Sequence, residues 1–167
     1  MALILSIGIL LILSILLIAY ICFRITFYVT KSQRSVFEEY PIPVGKVYEP
    51  WRNKMINWIQ ETRSLPFREY SINSHDGLTL YGKFYEYAPG ATIELMIHGY
   101  RGNAERDLCG GVQRCFLLGR SVLLVDQRGS SKSEGNIISF GVNESKDAVL
   151  WAEHIVKELG EDIKIIL

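Results

Sequence analysis

Cysteine and histidine are scarce in this sequence, three of each, and neither set is spaced for chemistry. Cys22 lies in an apolar N-terminus. Cys109 and Cys115 fall in one predicted helix, on different faces at 3.6 residues per turn. An odd set of this kind reads as small buried hydrophobes and supports no disulfide scaffold. Neither C-x-x-C nor H-x-x-x-H spacing occurs, so no metal site is expected. An excess of either charge is also lacking: 18 basic and 18 acidic residues balance. That leaves no electrostatic footprint for nucleic acid. The charges stand singly, not in the blocks that mark interaction tails, and no internal repeat is visible.

What is present begins with ALILSIGILLILSILLIAYICF, Ala2 to Phe23, 22 residues without a charge. As a helix it spans roughly 33 Å, enough for a bilayer core of ~30 Å. Ser6 and Ser14 can bond to their own helix backbone. A signal peptide would need a basic start, a shorter apolar core and a small-residue cleavage site, all missing here. The expected partner is therefore the lipid bilayer, spanned once, at the cell membrane. Arg24, Lys31 and Arg34 follow the span and place the globular part on the cytoplasmic side by the positive-inside tendency. Tyr20, Phe23, Phe27 and Tyr28 suit an interfacial aromatic belt.

Residues 1–24 thus form an anchor and 25–48 a linker, with Pro41 and Pro43 limiting regular structure. Residues 49–66 hold an amphipathic helix opened by Pro50, with Trp51, Met55, Trp58 and Ile59 as a packing stripe and Leu65-Pro66 as its end. The period then changes. Two extended runs, 68–73 and 78–87, flank Ser74-His75-Asp76-Gly77, a hairpin signal. In the second run Leu78, Leu80 and Phe84 face one way and Thr79, Lys83 and Tyr85 the other.

Strands then alternate with helices: strands at 93–97, 121–125 and 163–167, each expected to be buried on both faces, and helices at 104–118 and 143–159. Asn103 is the expected cap of the first helix, with Gly119 just past its end. Ala148, Ala152, Ile155 and Leu159 form the inner face of the second, and Gly160 stops it. An antiparallel hairpin followed by βαβαβ is an α/β architecture with a mostly parallel sheet.

Ligands of such sheets lie beyond the carboxyl ends of the strands. His98-Gly99-Tyr100-Arg101-Gly102-Asn103 follows the first parallel strand, and DQRGSSKSEG, Asp126 to Gly135, the second. Neither a dinucleotide fingerprint nor a P-loop is present. The first loop is a glycine-bracketed turn able to present backbone N–H groups to an oxyanion.

H-G-Y-R-G-N after one buried strand and D-x-R-G after the next resemble the α/β-hydrolase fold, over 67–167. The likeness is greatest to membrane-anchored bacterial members related to serine peptidases, esterases and lipases. The resemblance implies that the residue after His-Gly, here Tyr100, gives a backbone N–H to the oxyanion hole. It leaves His98, Gly99, Gly102, Asp126, Arg128, Gly129 and Ser133 as residues that shape the two loops. Ser131 stands where D-x-R-G-x-G-x-S has its second glycine, which implies a looser loop.

The resemblance also implies a G-x-S-x-G nucleophile, then an acid, then a histidine. No G-x-S-x-G occurs in the 167 residues, and its place would follow the strand ending at Leu167. His75, in a turn, and His154, on an exposed helix face, offer no triad with Ser130, Ser131 or Ser133 in a flexible loop. Two readings follow. One is the N-terminal part of a membrane-anchored serine hydrolase, inactive as it stands, whose completed site takes a small-molecule or peptide acyl substrate. The other is a non-catalytic, membrane-tethered interaction or regulatory protein. No cofactor is implied by either.

Overall fold

The computed structural model describes residues 1–30 and 39–167; Lys31 and Arg34 of the basic flank lie outside the described residues. Helix α1, Ala2–Thr26, is long and apolar enough to cross a membrane, and its side chains lie outside the protein core. Ser14 Oγ donates to Leu10 O at 2.8 Å, so this hydroxyl is satisfied within the helix. Cys22 is exposed on α1 and Cys109 half-buried; only Cys115 matches the expected burial.

The expected linker proves partly structured. Val29 N donates to Asn136 O and Ile138 N to Phe27 O, both at 2.8 Å, and Tyr28 bridges Ile137 in antiparallel sense. Further on, Ile42 is buried with Met55 and Ile59 of α2, Arg52–Ser64, which a 3-10 turn at Glu49–Trp51 introduces. Apolar side chains at these points give the chain more to bury than its prolines suggested. Leu65, extended before Pro66 because a proline disfavours the helical region for its predecessor, ends α2. Trp51 is exposed, so the buried stripe is narrower than the periodicity implied.

The sheet has five strands in the order β1-β2-β4-β3-β5: β1 Arg68–Asn73, β2 Thr79–Tyr85, β3 Ile93–Ile97, β4 Ser121–Asp126 and β5 Ile165–Ile166. The first two pair as a hairpin, Asn73 opposite Thr79, with Gly77 at φ 83° in the turn. Antiparallel pairing continues to β4; β4–β3 and β3–β5 are parallel. Alternate residues serve opposite faces. Ile93, Leu95, Leu123 and Val125 pack with Leu80, Phe84, Trp151 and Ile155; Val122 and Leu124 pack with Tyr85, Val112 and Cys115. This two-sided burial is what the apolar runs required of β3 and β4.

Five particulars differ from expectation. The run 93–97 contains Glu94, which is buried and tolerated because Arg114 and Arg120 both pair with it. The single helix 104–118 is two, α3 Ala104–Asp107 and α4 Gly111–Leu117. Gly110, at φ 84°, divides them, and a Cβ there would lie 2.7 Å from the Trp58 ring. Helix α5, Glu144–Leu159, turns Asp147, Trp151 and Ile155 inward, while Ala148 and Ala152 are only half-buried. His154 is half-buried, not exposed, its ring 4.9 Å from that of Tyr70. The last strand is short and one-sided, with Ile165 half-buried and Leu167 exposed, because β5 is the sheet edge and has a neighbour only in β3.

Candidate active site

Strands β3 and β4 are parallel neighbours, so their carboxyl ends bring the loops at 98–103 and 127–135 together. His98 joins them. Its Nε2 accepts from Gln127 N–H at 3.0 Å and its Nδ1 donates to Gly99 O at 2.9 Å. An N–H acceptor contact at Nε2 requires the neutral Nδ1–H tautomer. Burial pushes the His98 pKa down, against the pull of the Gly99 carbonyl and Asp126. With both nitrogens held by backbone, the ring fixes the loops.

The turn Gly99 to Gly102 closes by Gly102 N–H to Gly99 O at 3.1 Å. Tyr100 and Arg101 are its two central residues. Arg101 adopts φ 53°, a left-handed conformation that costs a non-glycine residue about 1–2 kcal/mol. A Cβ at Gly102 would lie 1.8 Å from Asp107 Oδ2 and 3.1 Å from Gly99 O, so a larger residue there has to displace the Asp107 side chain. Asn103 caps α3 as expected, its side chain accepting from Arg106 N–H at 2.8 Å. Among the described residues none accepts from the Tyr100 N–H.

The second loop is compact, contrary to a flexible polar stretch. Gly129 N–H donates to Glu134 O at 2.7 Å and Ser133 N–H to Ser130 O at 2.8 Å. Ser130 and Ser133 are buried: Ser130 Oγ donates to Gly102 O at 2.7 Å, tying loop to loop. Ser133 Oγ accepts from Tyr81 N–H at 2.9 Å and donates to Asp126 O at 2.6 Å, bridging the β2–β4 pair where it ends. Ser131 adopts φ 46°, so the backbone keeps the glycine-like conformation that its side chain opposes, and the loop is not loosened. Asp126 Oδ1 accepts from Ala104 N–H at 2.9 Å. Burial pushes the Asp126 pKa up, opposed by that bond and by Ser131.

Arg128 is buried and forked. Its Nε and terminal nitrogen reach both Asp147 oxygens at 2.7 and 2.9 Å, and its other bonds go to Asp76 at 2.9 and 3.1 Å. One guanidinium thus ties the β1–β2 turn, the second loop and α5. Hydrogen bonds from Arg128 and Ser74 hold the Asp76 carboxyl well below its usual range.

Between the loops lies a cavity of about 270 Å³, walled by His98, Tyr100, Gly129, Ser130, Ile138 and Phe140. The Tyr100 and Phe140 rings give this wall an apolar part suited to the apolar portion of a ligand. Ile138, Phe140 and Glu144 were not found by sequence reasoning, because no motif spacing connects them to the two loops; Gln127 lies inside the second motif, at its variable position, and was given no role. Glu144 organises the rim, its carboxylate accepting from Ser139 N–H, Ser139 Oγ and Gly141 N–H. Burial pushes the Glu144 pKa up, but these bonds outweigh it and leave the group below its ordinary value.

The molecule superposes on the esterase Pf2001 of Pyrococcus furiosus with TM-score 0.57 at 22% identity, over 75% of this chain and 46% of that one. A second crystal form of the esterase gives 0.56 at 23% identity, over 75% and 43%. The fold is the α/β-hydrolase fold. An α/β hydrolase from Vibrio vulnificus also matches, at TM-score 0.49 and 15% identity over 72% of this chain and 38% of that one. This chain therefore spans less than half the length of these structures. No family model and no curated relative matches the sequence. Identities this low carry the fold and leave the chemistry to the site itself.

Proposed function

We propose that this chain is the membrane-anchored, oxyanion-side part of a serine hydrolase acting on acyl substrates. The observation that carries the reading is the Gly99–Gly102 turn at the carboxyl end of β3, which offers the Tyr100 N–H beside an apolar cavity. In this reading a base takes the serine proton as the serine oxygen adds to the acyl carbon, the carbonyl electron pair moves onto oxygen, and the Tyr100 N–H holds that charge. Collapse of the intermediate passes that proton to the departing alcohol or amine, and water, deprotonated by the same base, then releases the acyl group as the acid and restores the serine.

The remaining residues keep the donor in place. His98, Ser130 and Asn103 lock the loop on three sides, so the N–H needs no rearrangement when charge develops. The 167 residues contain no G-x-S-x-G, so the nucleophile, acid and base are supplied from outside this sequence and the 167 residues by themselves are inactive. Helix α1 holds the site at the membrane with its body on the cytoplasmic face.

The test is the intact mass and the fluorophosphonate reactivity of the endogenous, membrane-extracted product, detected through a peptide around Asp126. A mass above 19.1 kDa together with covalent labelling is expected. A product of that mass which stays unlabelled overturns the hydrolase reading and leaves a tethered, non-catalytic protein on this fold.

A further inference from the structure

The carbonyl end of α1 is held by the oxyanion-side loop. Tyr100 Oη donates to Thr26 O at 2.6 Å, and an Arg101 terminal nitrogen donates to Ile25 O and, at 3.2 Å, to Tyr28 O. The last carbonyls of a helix lack intrahelical partners and carry its partial negative charge, so a cation and a hydroxyl are the groups suited to cap them. The same two residues are the centre of the turn that walls the cavity. The cavity wall and the end of the apolar helix are therefore one unit.

An aromatic ladder makes the same connection. Phe23 stacks on Phe27 at 5.5 Å between ring centroids, Phe27 meets Phe140 edge-on at 5.3 Å, and Phe140 stacks on Tyr100 at 5.0 Å. The rings lead from the last turns of α1 to the cavity. Phe140 is 58% exposed, and Ile137 and Val142 beside it are exposed as well. This loop is not slack, because Glu144 fixes Ser139 and Gly141 on either side of Phe140. Phe140 itself adopts φ 51°. A left-handed aromatic residue is strained by about 1–2 kcal/mol, and here that strain holds an apolar ring outward. Such an arrangement is stabilised when something apolar covers the ring.

The position of the ring says what covers it. A helix of 25 residues is roughly 37 Å long, against a hydrocarbon core of ~30 Å with a polar zone of ~5–7 Å on each side. The last turn of α1 then emerges in the headgroup zone, and the ladder keeps Phe140 and Tyr100 within two ring contacts of it. Arg24, in the last turns of α1, sits over the Tyr28 ring at 3.8 Å, and a cation paired with an aromatic ring at the end of a span suits the interface. We infer that the rim at 137–142, with Tyr100, is seated in the bilayer interface, and that the cavity takes its acyl substrate from the leaflet and not from bulk water. This rests on the membrane-span reading of α1 and names the substrate class for the proposed site: a lipid-borne acyl ester or amide.

The experiment uses the whole 167-residue chain in phosphatidylcholine vesicles containing a phosphatidylcholine with a diazirine near the ester end of one acyl chain. After irradiation, adducts are mapped by mass spectrometry. Adducts are expected on the last turns of α1, on 137–142 and on the peptide containing Tyr100, with α2 and the outer face of α5 unmarked. Ile137→Asp/Phe140→Asp is expected to lose the rim adducts and keep those on α1. Adducts on α1 alone overturn the inference and leave the span standing. Absence of adducts from α1 overturns the span itself. Equal marking of the rim, α2 and α5 also overturns the inference, since it means adsorption without a seated face.

Discussion

Arg128 Nε lies 2.7 Å from Asp147 Oδ2, both side chains under a tenth exposed, with Asp76 on the guanidinium's other edge. Three segments meet at this cation, and none of them covers it without the others. Removing one partner of a buried pair leaves an uncompensated charge, which costs about 3–5 kcal/mol. Arg128→Met is therefore expected to lower the Tm of the detergent-solubilised chain sharply. Arg128→Met with Asp147→Leu should recover much of the loss. Equal melting of the single and double variants would mean the pair is not coupled.

His98 and Asp126 act on stability in opposite senses. The lowered His98 pKa means that the unfolded chain binds a proton below about pH 6.5 when the folded one does not. Its stabilising contribution is present above that pH and lost as pH falls. The raised Asp126 pKa works the other way: its contribution is present at low pH and lost as pH rises through the folded value. Asp126→Asn keeps an acceptor for Ala104 N–H, removes the second effect and also takes away the carboxylate that pulls the His98 pKa up. The variant's Tm should therefore fall more steeply than the wild type's as pH drops from about 6.5 towards about 4, the unfolded carboxylate range; parallel profiles would contradict the assignment.

A separate acid limb belongs to Asp76 and Glu144, both held below their ordinary values in the folded chain. Their contribution is full above about pH 4, the unfolded carboxylate range, and disappears as pH falls further through the folded values. Asp76→Asn should flatten the Tm profile below pH 4. A steepness equal to that of the wild type would remove Asp76 from the account.

Ser131 holds a left-handed backbone, φ 46°. Ser131→Ala keeps that strain, whereas Ser131→Gly relieves about 1–2 kcal/mol of it. Glycine should therefore melt above both serine and alanine. Glycine melting level with serine would show that the conformation stores no strain.

Tyr100 occupies the second position of a turn, where proline fits without distortion. In the fluorophosphonate-reactive product, Tyr100→Pro deletes the proposed donor and should lower kcat by ~10²–10³ with KM less affected. Tyr100→Phe keeps the N–H and should lose far less. Equal losses would place the donor elsewhere.

Local grammar settled much of this protein in the sequence. The Asp76-Gly77 hairpin, the two apolar runs, the Asn103 cap and the Gly160 stop each depend on residues a few positions apart, and the structure repeats them. The two loops could be placed at neighbouring strand ends for the same reason, since strand–helix–strand order dictates parallel pairing. The break at Gly110 could not be read, because it answers to Trp58 of another helix, nor could Trp151, which a small-residue stripe concealed.

Only the tertiary structure decided what the loops touch. Arg128 finds partners 19 and 52 positions away, and Tyr100 and Arg101 find the end of α1 at 74 and 76. No periodicity encodes contacts at such separations. They exist because the sheet order brings the β1–β2 turn, the β3 and β4 loops and the start of α5 to one end of the molecule. There, buried charges and unpaired helix carbonyls must find partners in whatever the fold sets beside them.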